Sequence, residues 1–190
     1  MTKRSGNVGA GVAIALLIAL PAAAQTGQSA PGYKAPVITD TGRLKGPRQP
    51  IFFRHDIHAG QDQIPCLYCH NTVAISSEPG IPALQTCFGC HQIIGGSKST
   101  PTHQAEIKKV LQAFLTKKAP EWVRVHALPG FVRFPHQRHI KILGTDACVT
   151  CHGDVRGMPQ VYQFATLKMG WCVNCHVQRN VSRDCTLCHY

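Results

Sequence analysis

The chain has 190 residues, of which 44% are hydrophobic, 10 are cysteine and 11 are histidine, and its formal net charge is +11. Outside the N-terminus no stretch is apolar enough to cross a bilayer, which excludes a membrane protein with several spans. The chain has no glycine-rich phosphate loop and no evident pairing of a nucleophile with a base, so neither nucleotide binding nor hydrolysis is indicated.

The N-terminus has the features of a secretory signal. Lys3 and Arg4 precede an apolar run from Val8 to Leu20, and Pro21–Ala24 supplies the small residues of a cleavage site. We therefore predict that residues 1–24 are a signal peptide and that the protein is exported. An uncleaved anchor is the alternative, because the run and its small residues together span about 17 positions, close to the shortest bilayer-crossing length.

Residues 25–50 are rich in Gly, Pro, Thr, Gln and Ser and show little apolar periodicity. Such a composition predicts an extended linker. A single folded domain is predicted to follow, over residues 51–190.

The domain contains the motif Cys-x-x-Cys-His five times. The copies are Cys66–His70, Cys87–His91, Cys148–His152, Cys172–His176 and Cys185–His189. They are called motifs 1 to 5 in chain order. This motif is typical of covalently attached haem, because the two cysteines form thioethers with the haem vinyl groups and the histidine is an axial iron ligand.

The five motifs predict five covalently attached haem c groups, each with its iron. The cofactor-binding residues are Cys66, Cys69, Cys87, Cys90, Cys148, Cys151, Cys172, Cys175, Cys185 and Cys188. The proximal iron ligands are His70, His91, His152, His176 and His189. Zinc does not require a histidine directly after every cysteine pair, and disulfides require none, so both alternatives are disfavoured.

The positive charge does not indicate nucleic-acid binding here. Five haems bring ten propionates, and basic side chains are available to compensate them. The alternative is that the remaining positive charge favours binding of a redox partner with an acidic surface.

The domain contains an internal repeat. Phe53-Arg54-His55-Asp56-Ile57-His58 precedes motif 1, and Phe134-Pro135-His136-Gln137-Arg138-His139 precedes motif 3. Each copy is a Phe-x-His-x-x-His segment, a haem motif, a spacer and a second haem motif. Motif 5 is an addition at the C-terminus. We refer to the copies as the first and second repeat.

An amphipathic helix is predicted between the repeats, over His103–Ala119. Its apolar positions follow the i, i+3, i+4, i+7 pattern, Thr102 is the expected cap, and Pro120 ends it. Strand patterns are scarce. The predicted fold class is therefore mostly α with extensive loops, a class III-like multihaem cytochrome c. Because the 140 residues of 51–190 leave about 28 for each of five haems, the haems are expected to stack and to form much of the core.

Six histidines lie outside the haem motifs and are candidates for the second axial position. They are His55, His58, His103, His126, His136 and His139. The two His-x-x-His pairs account for four irons, since each imidazole can serve a different haem. For the fifth iron His126 is favoured, because its surroundings are apolar. His103, Met158 and Met169 are the alternatives, methionine being an established axial ligand.

An iron with protein ligands on both faces has no position for a substrate, so its remaining role is to pass electrons. We therefore predict no catalytic residues and an electron-transfer protein rather than an enzyme. A multihaem reductase is the alternative from another class, and it would need one iron with an open face.

Four segments together resemble the pentahaem cytochrome subunit of bacterial alternative complex III. They are Pro50–Gly60, Ile64–His70, Trp122–Pro129 and Leu167–Cys172. Distal ligation by five histidines agrees with this resemblance, since the family's shared motifs include positions matching His55, His58, His126, His136 and His139.

The resemblance implies a peripheral subunit on the periplasmic face of the inner membrane, within a quinol-oxidising respiratory or photosynthetic complex. Its partners would be an iron–sulfur subunit and an integral membrane quinol-binding subunit, and its acceptor a monohaem cytochrome or a terminal oxidase. A free periplasmic electron shuttle to a reductase is the alternative.

Overall fold

The computed structural model describes residues 32–98, 100–144 and 146–190, so the predicted signal peptide and the first residues of the predicted linker lie outside it. The α-helices are α1 (Cys66–Cys69), α2 (Leu84–His91), α3 (Pro101–Thr116), α4 (His136–Leu143), α5 (Asp146–His152) and α6 (Met169–Gln178). The shorter turns are a π-helical turn at Asp56–Gln61 and 3-10 turns at Thr41–Arg43, Asn71–Ala74, Val155–Gly157 and Cys185–Leu187.

Within the described ranges there is no β-strand, and the one strand-like pairing is an antiparallel bridge between Val132 and His189. This architecture confirms the predicted fold class. None of the described helices is both long and apolar enough to span a membrane.

The haem motifs lie on helical turns. Motifs 1 to 4 lie on or at the ends of α1, α2, α5 and α6, and motif 5 begins on the last 3-10 turn. On an α-helix, positions i, i+3 and i+4 share one face, so both cysteines and the histidine of a motif point the same way. The helical turn therefore presents the attachment groups and the axial ligand together.

Helix α3 differs from its predicted bounds. It begins at Pro101, with Thr100 as its N-cap residue and no capping side-chain hydrogen bond, so the prediction that Thr102 is the cap was wrong. It ends at Thr116 rather than Ala119, because Lys117 takes a left-handed conformation with φ 55°. Proline is favoured in the first helical turn, where its missing N–H is not needed.

Stacked phenylalanines fix α3 on α2. The rings of Phe88 and Phe114 have centres 3.8 Å apart and an interplanar angle of 8°. Phe88 lies inside motif 2, so the apolar face of α3 supports that motif.

The two repeats exchange contacts. The π-helical turn of the first repeat packs against the 3-10 turn Val155–Gly157, which follows motif 3. In return α4 of the second repeat packs against the 3-10 turn Asn71–Ala74, which follows motif 1. The first exchange requires glycine at position 60, because a Cβ there would lie 2.4 Å from the Arg156 carbonyl oxygen. The repeats are therefore interlocked and form one structural unit.

Residues 32–50, predicted as part of a linker, are mostly extended but lie along the domain. The Gln49 side chain accepts a hydrogen bond from the Val123 amide (2.8 Å) and donates one to the Val123 carbonyl oxygen (2.9 Å). Gln160 donates to the carbonyl oxygens of Lys45 and Gly46 at 3.1 and 2.7 Å. We call residues 32–50 the strap.

The described residues bury few apolar side chains. The buried ones are Ile51, Val73, Val110, Ala147, Met158 and Ala165. Many large apolar side chains are instead exposed, among them Ile75 at 83% and Ile93 at 85%. A conventional core of this size could not hold a domain of this length. The arrangement agrees with the expectation that haems supply much of the core.

Candidate haem sites

Three motif histidines face a distal histidine across a gap. The ring centres of His55 and His70 are 6.4 Å apart, and the rings are parallel to within 4°. The ring centres are 5.9 Å apart, with an angle of 71°, for His58 and His91. They are 6.3 Å apart, with an angle of 41°, for His139 and His176.

These gaps fit one iron. A metal–imidazole bond is about 2.0–2.1 Å long and the nitrogen lies about 1.1 Å from the ring centre, so imidazoles on opposite sides of one metal have ring centres about 6.3 Å apart. The three pairs therefore have the spacing of bis-histidine haem ligation, and each joins a distal histidine to the proximal histidine of one motif.

Hydrogen bonds set the tautomer of four histidines in these pairs and of His136. In each, Nδ1–H donates to a backbone carbonyl oxygen, which can only accept. The pairs are His58 to Arg54 (2.9 Å), His91 to Ile94 (2.8 Å), His136 to Ser77 (2.8 Å), His139 to Pro135 (3.1 Å) and His176 to Ser182 (2.7 Å). This leaves Nε2 unprotonated and available to a metal, as is usual for metal-ligating histidine.

Burial keeps several histidines neutral. Burial, with smaller contributions from His70 and His58, lowers the pKa of His55 to about 4. Burial likewise lowers the pKa of His152 to about 4, with contributions from His126, His136 and His70. Neutral imidazole is the form that binds metals.

Motif 3 has two distal candidates nearby. His126 Nε2 lies 3.4 Å from His152 Nδ1, and their ring centres are 4.4 Å apart, which is too short for a metal between the rings. The contact is on the Nδ1 side of His152, away from Nε2. His136 is the second neighbour, and it contributes to the lowered pKa of His152.

Motif 5 is placed by the backbone. The amide of Arg133 donates to the Cys188 carbonyl oxygen (2.9 Å), and Val132 forms the bridge to His189. The ring that contacts His189 is that of Phe131, with centres 5.8 Å apart. Among the described residues, no candidate distal histidine makes a ring contact with His189.

The three alternative ligands lie elsewhere. His103 is half-buried near Arg54 and Asp56; its pKa is lowered by burial and by the charge of Arg54. Met169 is 65% exposed. Met158 is buried and lines a cavity of about 480 Å³ between the strap and residues 157–164.

The attachment cysteines of motifs 1 and 3 meet. A hydrogen bond with the Cys148 thiol lowers the pKa of Cys66 to about 6, and the same bond raises the pKa of Cys148. These two residues hold equivalent positions in the two repeats. The motifs that open the repeats are therefore adjacent where the repeats meet.

The other motifs extend outwards from this pair. The pKa of Cys69 is raised by burial and by the nearby Cys87 and Cys90 of motif 2. Burial, together with Cys175 and Cys172 of motif 4, raises the pKa of Cys151 to about 11.

Motif 4 in turn adjoins motif 5. The pKa of Cys172 is raised by burial and by the nearby Cys188 of motif 5. In space the attachment cysteines thus follow the order 2–1–3–4–5.

Residues 132–190 match the family described as cytochrome c7 and related cytochrome c. The match covers the second repeat from just before its Phe-x-His-x-x-His segment, together with motif 5. The chain has a cytochrome c7-like multihaem fold. The match to cytochrome c agrees with covalent attachment of haem c at the Cys-x-x-Cys-His motifs.

A curated relative extends the similarity to most of the chain. The multihaem cytochrome c subunit of menaquinone reductase from Nitratidesulfovibrio vulgaris is 26% identical over 165 residues, which cover 74% of this chain and 76% of the relative.

One feature next to the histidine pairs was missed in the sequence. Arg54 and Asp56, which flank His55, form a buried ion pair. The sequence did contain an indication of this ion pair. Arg54 and Asp56 carry opposite charges within the segment Ile51–Ile57, whose other residues apart from His55 are apolar, and charged residues are rarely buried unless they are paired.

Proposed function

We propose that this chain is a pentahaem c-type cytochrome that relays electrons within a quinol-oxidising membrane complex of the alternative complex III type. It would lie on the periplasmic face of the inner membrane, exported through residues 1–24 and peripheral or singly anchored. Its partners would be an iron–sulfur subunit and an integral membrane quinol-binding subunit, and its acceptor a monohaem cytochrome or a terminal oxidase.

The single observation that carries the relay role is the spacing of the three histidine pairs. Bound haem supplies an iron that alternates between ferric and ferrous states between fixed ligands. The chain's cysteine pairs would attach the haem, the hydrogen bonds from Nδ1 would orient Nε2, and the paired histidines would hold the iron. A closed site favours electron transfer over substrate chemistry.

The repeat supports a complete set of ligand pairs. Because His55 faces His70 in the first repeat, we assign the equivalent His136 to His152 in the second. His126 is then left for His189, which completes five pairs. The other three pairs are His55–His70, His58–His91 and His139–His176.

The order of the cysteines supports a relay with two ends. Motif 2 lies at one end, beside α3, and motif 5 at the other, at the C-terminus. A linear order allows the donor and the acceptor to bind at separate surfaces of the subunit.

Stopped-flow mixing with a quinol analogue tests this function. The isolated holoprotein should show negligible haem reduction, whereas the assembled complex should reduce its haems rapidly, because the quinol site is proposed to lie in another subunit. Rapid reduction of the isolated subunit would overturn the proposal that it has no substrate site. Failure to co-purify with integral membrane subunits would favour a free shuttle.

The relative's name favours a second candidate, in which the same relay runs towards quinone. Supplying the assembled complex with a reduced cytochrome and a menaquinone analogue distinguishes the directions. Net quinol formation would support a reductase, and net cytochrome reduction by quinol would support the quinol-oxidising complex.

A further inference from the structure

The most deeply buried charges in the described chain flank His55, a proposed haem ligand. Asp56 is 0% exposed and Arg54 is 3% exposed. Arg54 Nε donates to Asp56 Oδ1 at 2.7 Å, and Arg54 Nη2 donates to Asp56 Oδ2 at 2.5 Å. This is a two-point ion pair with both partners desolvated, a geometry that fixes orientation as well as charge.

The pair is connected to both histidines of the first repeat. His55 stands between the two charged residues in the chain. His58 donates its Nδ1–H to the backbone carbonyl oxygen of Arg54 at 2.9 Å, as His139 does to that of Pro135 at 3.1 Å. In the first repeat the residue that supplies this carbonyl is therefore the one whose side chain is held by Asp56. Arg54 Nη2 also donates to the Pro36 carbonyl oxygen at 2.8 Å, which attaches the strap to the same point.

The backbone here is unusual. Residues Asp56–Gln61 form a π-helical turn, and such turns are often found at functional sites. In the second repeat the corresponding segment is the regular helix α4, and Pro135 and Gln137 replace the charged residues. The ion pair therefore accompanies the non-standard turn and is absent where the turn is an ordinary helix.

We propose that the Arg54–Asp56 pair is a positioning element for His55 and His58, which holds the π-helical turn of the first repeat and thereby sets the ring planes of the two imidazoles relative to those of His70 and His91. It rests on the proposed function in that both histidines ligate haem iron. By placing one carboxylate and one guanidinium against these ligands, it also contributes to the reduction potentials of the haems at motifs 1 and 2.

Ring orientation gives the proposal a spectroscopic readout. Parallel imidazole planes on a low-spin ferric haem give an ordinary rhombic electron paramagnetic resonance (EPR) signal, whereas nearly perpendicular planes give a highly anisotropic one. The angles of 4° for His55–His70 and 71° for His58–His91 predict one signal of each kind from the first repeat. The 41° pair of the second repeat should give an intermediate signal.

Two variants of the holoprotein test the proposal. Asp56→Asn leaves the Arg54 cation unpaired, so the midpoint potentials of the haems at motifs 1 and 2 should rise. The double variant Arg54→Met/Asp56→Leu removes both charges, a change that buried ion pairs often tolerate. It should retain its haems but shift the rhombic and the highly anisotropic signals, while the intermediate signal is unchanged.

Asp40→Asn is the matched control. It removes one carboxylate from an exposed ion pair with Arg43, whose side chains are 60% and 91% exposed. It should change neither potentials nor EPR signals. Unchanged EPR signals in the double variant would overturn the positioning role. If Asp56→Asn does not assemble, the double variant by itself is sufficient to test that role.

The proposed function is tested separately, on the unmodified protein. If the wild-type spectrum lacked low-spin signals, the ligand assignment would fail whatever the variants did. If the wild-type signals were present and insensitive to the double variant, only the positioning role would fail.

Discussion

The two repeats pack a phenylalanine against their distal histidines with nearly the same geometry but in different surroundings. Phe53 stacks on His58 with ring centres 4.5 Å apart at 22°, and Phe134 stacks on His139 at 4.1 Å and 26°. The same phenylalanines meet the first histidine of each pair edge-on, at 85° and 83°. What is kept is one aromatic ring wedged against two imidazoles, so this wedge is the common element of the site.

The repeats differ in what supports that wedge. His136 donates Nδ1–H to the Ser77 carbonyl oxygen of the other repeat, at 2.8 Å. His55 Nδ1 is buried without a hydrogen-bond partner in the described structure. A hydrogen bond on Nδ1 raises the basicity of a histidine ligand. Equivalent sites can thus give their irons different potentials while keeping the same ligands.

The largest effect is expected where the repeats meet. Cys148→Ser/Cys151→Ser should remove the haem of motif 3, at the centre of the spatial order, and cost more than about 5 kcal/mol, comparable with the whole stability of a domain. Intact mass and thermal unfolding measure both consequences.

The matched variant is at an end of the order. Cys185→Ser/Cys188→Ser should lower the mass by one haem with a smaller fall in the melting temperature. Equal destabilisation by both double variants would contradict the central position of motif 3.

Next in size is the loss of one distal ligand. His55→Ala and His136→Ala should each open one iron and give one high-spin ferric haem that binds carbon monoxide when reduced. Optical and EPR spectra check this. The effect should be of the same kind in both repeats, because the two histidines hold equivalent positions.

His126→Ala should likewise produce one high-spin haem, and His103→Ala should produce none. The opposite outcome would assign the fifth distal position to His103. A His126→Ala variant that remains fully low-spin would show that its contact with His152 Nδ1 is its whole role.

Much of the site could be predicted from the sequence because its chemistry is local. The motifs place two cysteines and a histidine on one helical turn, and the repeat makes the His-x-x-His pairs visible. The pairing of His58 with His91, or of His139 with His176, could not be predicted, because it depends on how separate segments pack.

The exchanged packing of the repeats also escaped prediction. It depends on long-range contacts such as the close approach of Gly60 to Arg156, which no periodic pattern encodes. Helix α3 was predicted from its apolar stripe, but its start was misplaced because the favourable position of Pro101 was overlooked.

The smallest predicted effect concerns the aromatic wedge. Phe53→Leu and Phe134→Leu should each lower stability by about 1–2 kcal/mol, since an aromatic contact adds roughly 0.5–1.5 kcal/mol to area burial. Chemical denaturation of the holoprotein measures this. A much larger loss in one repeat would show that the wedges are not equivalent.

Mössbauer spectroscopy of the fully oxidised, iron-57-enriched protein tests the central claim most directly, because it counts every iron whatever its magnetic coupling. With iron content measured on the same sample, the account predicts five irons for each chain, all low-spin ferric. A high-spin component equal to one iron, or fewer than five irons in fully matured protein, would contradict closure of five irons by five histidine pairs.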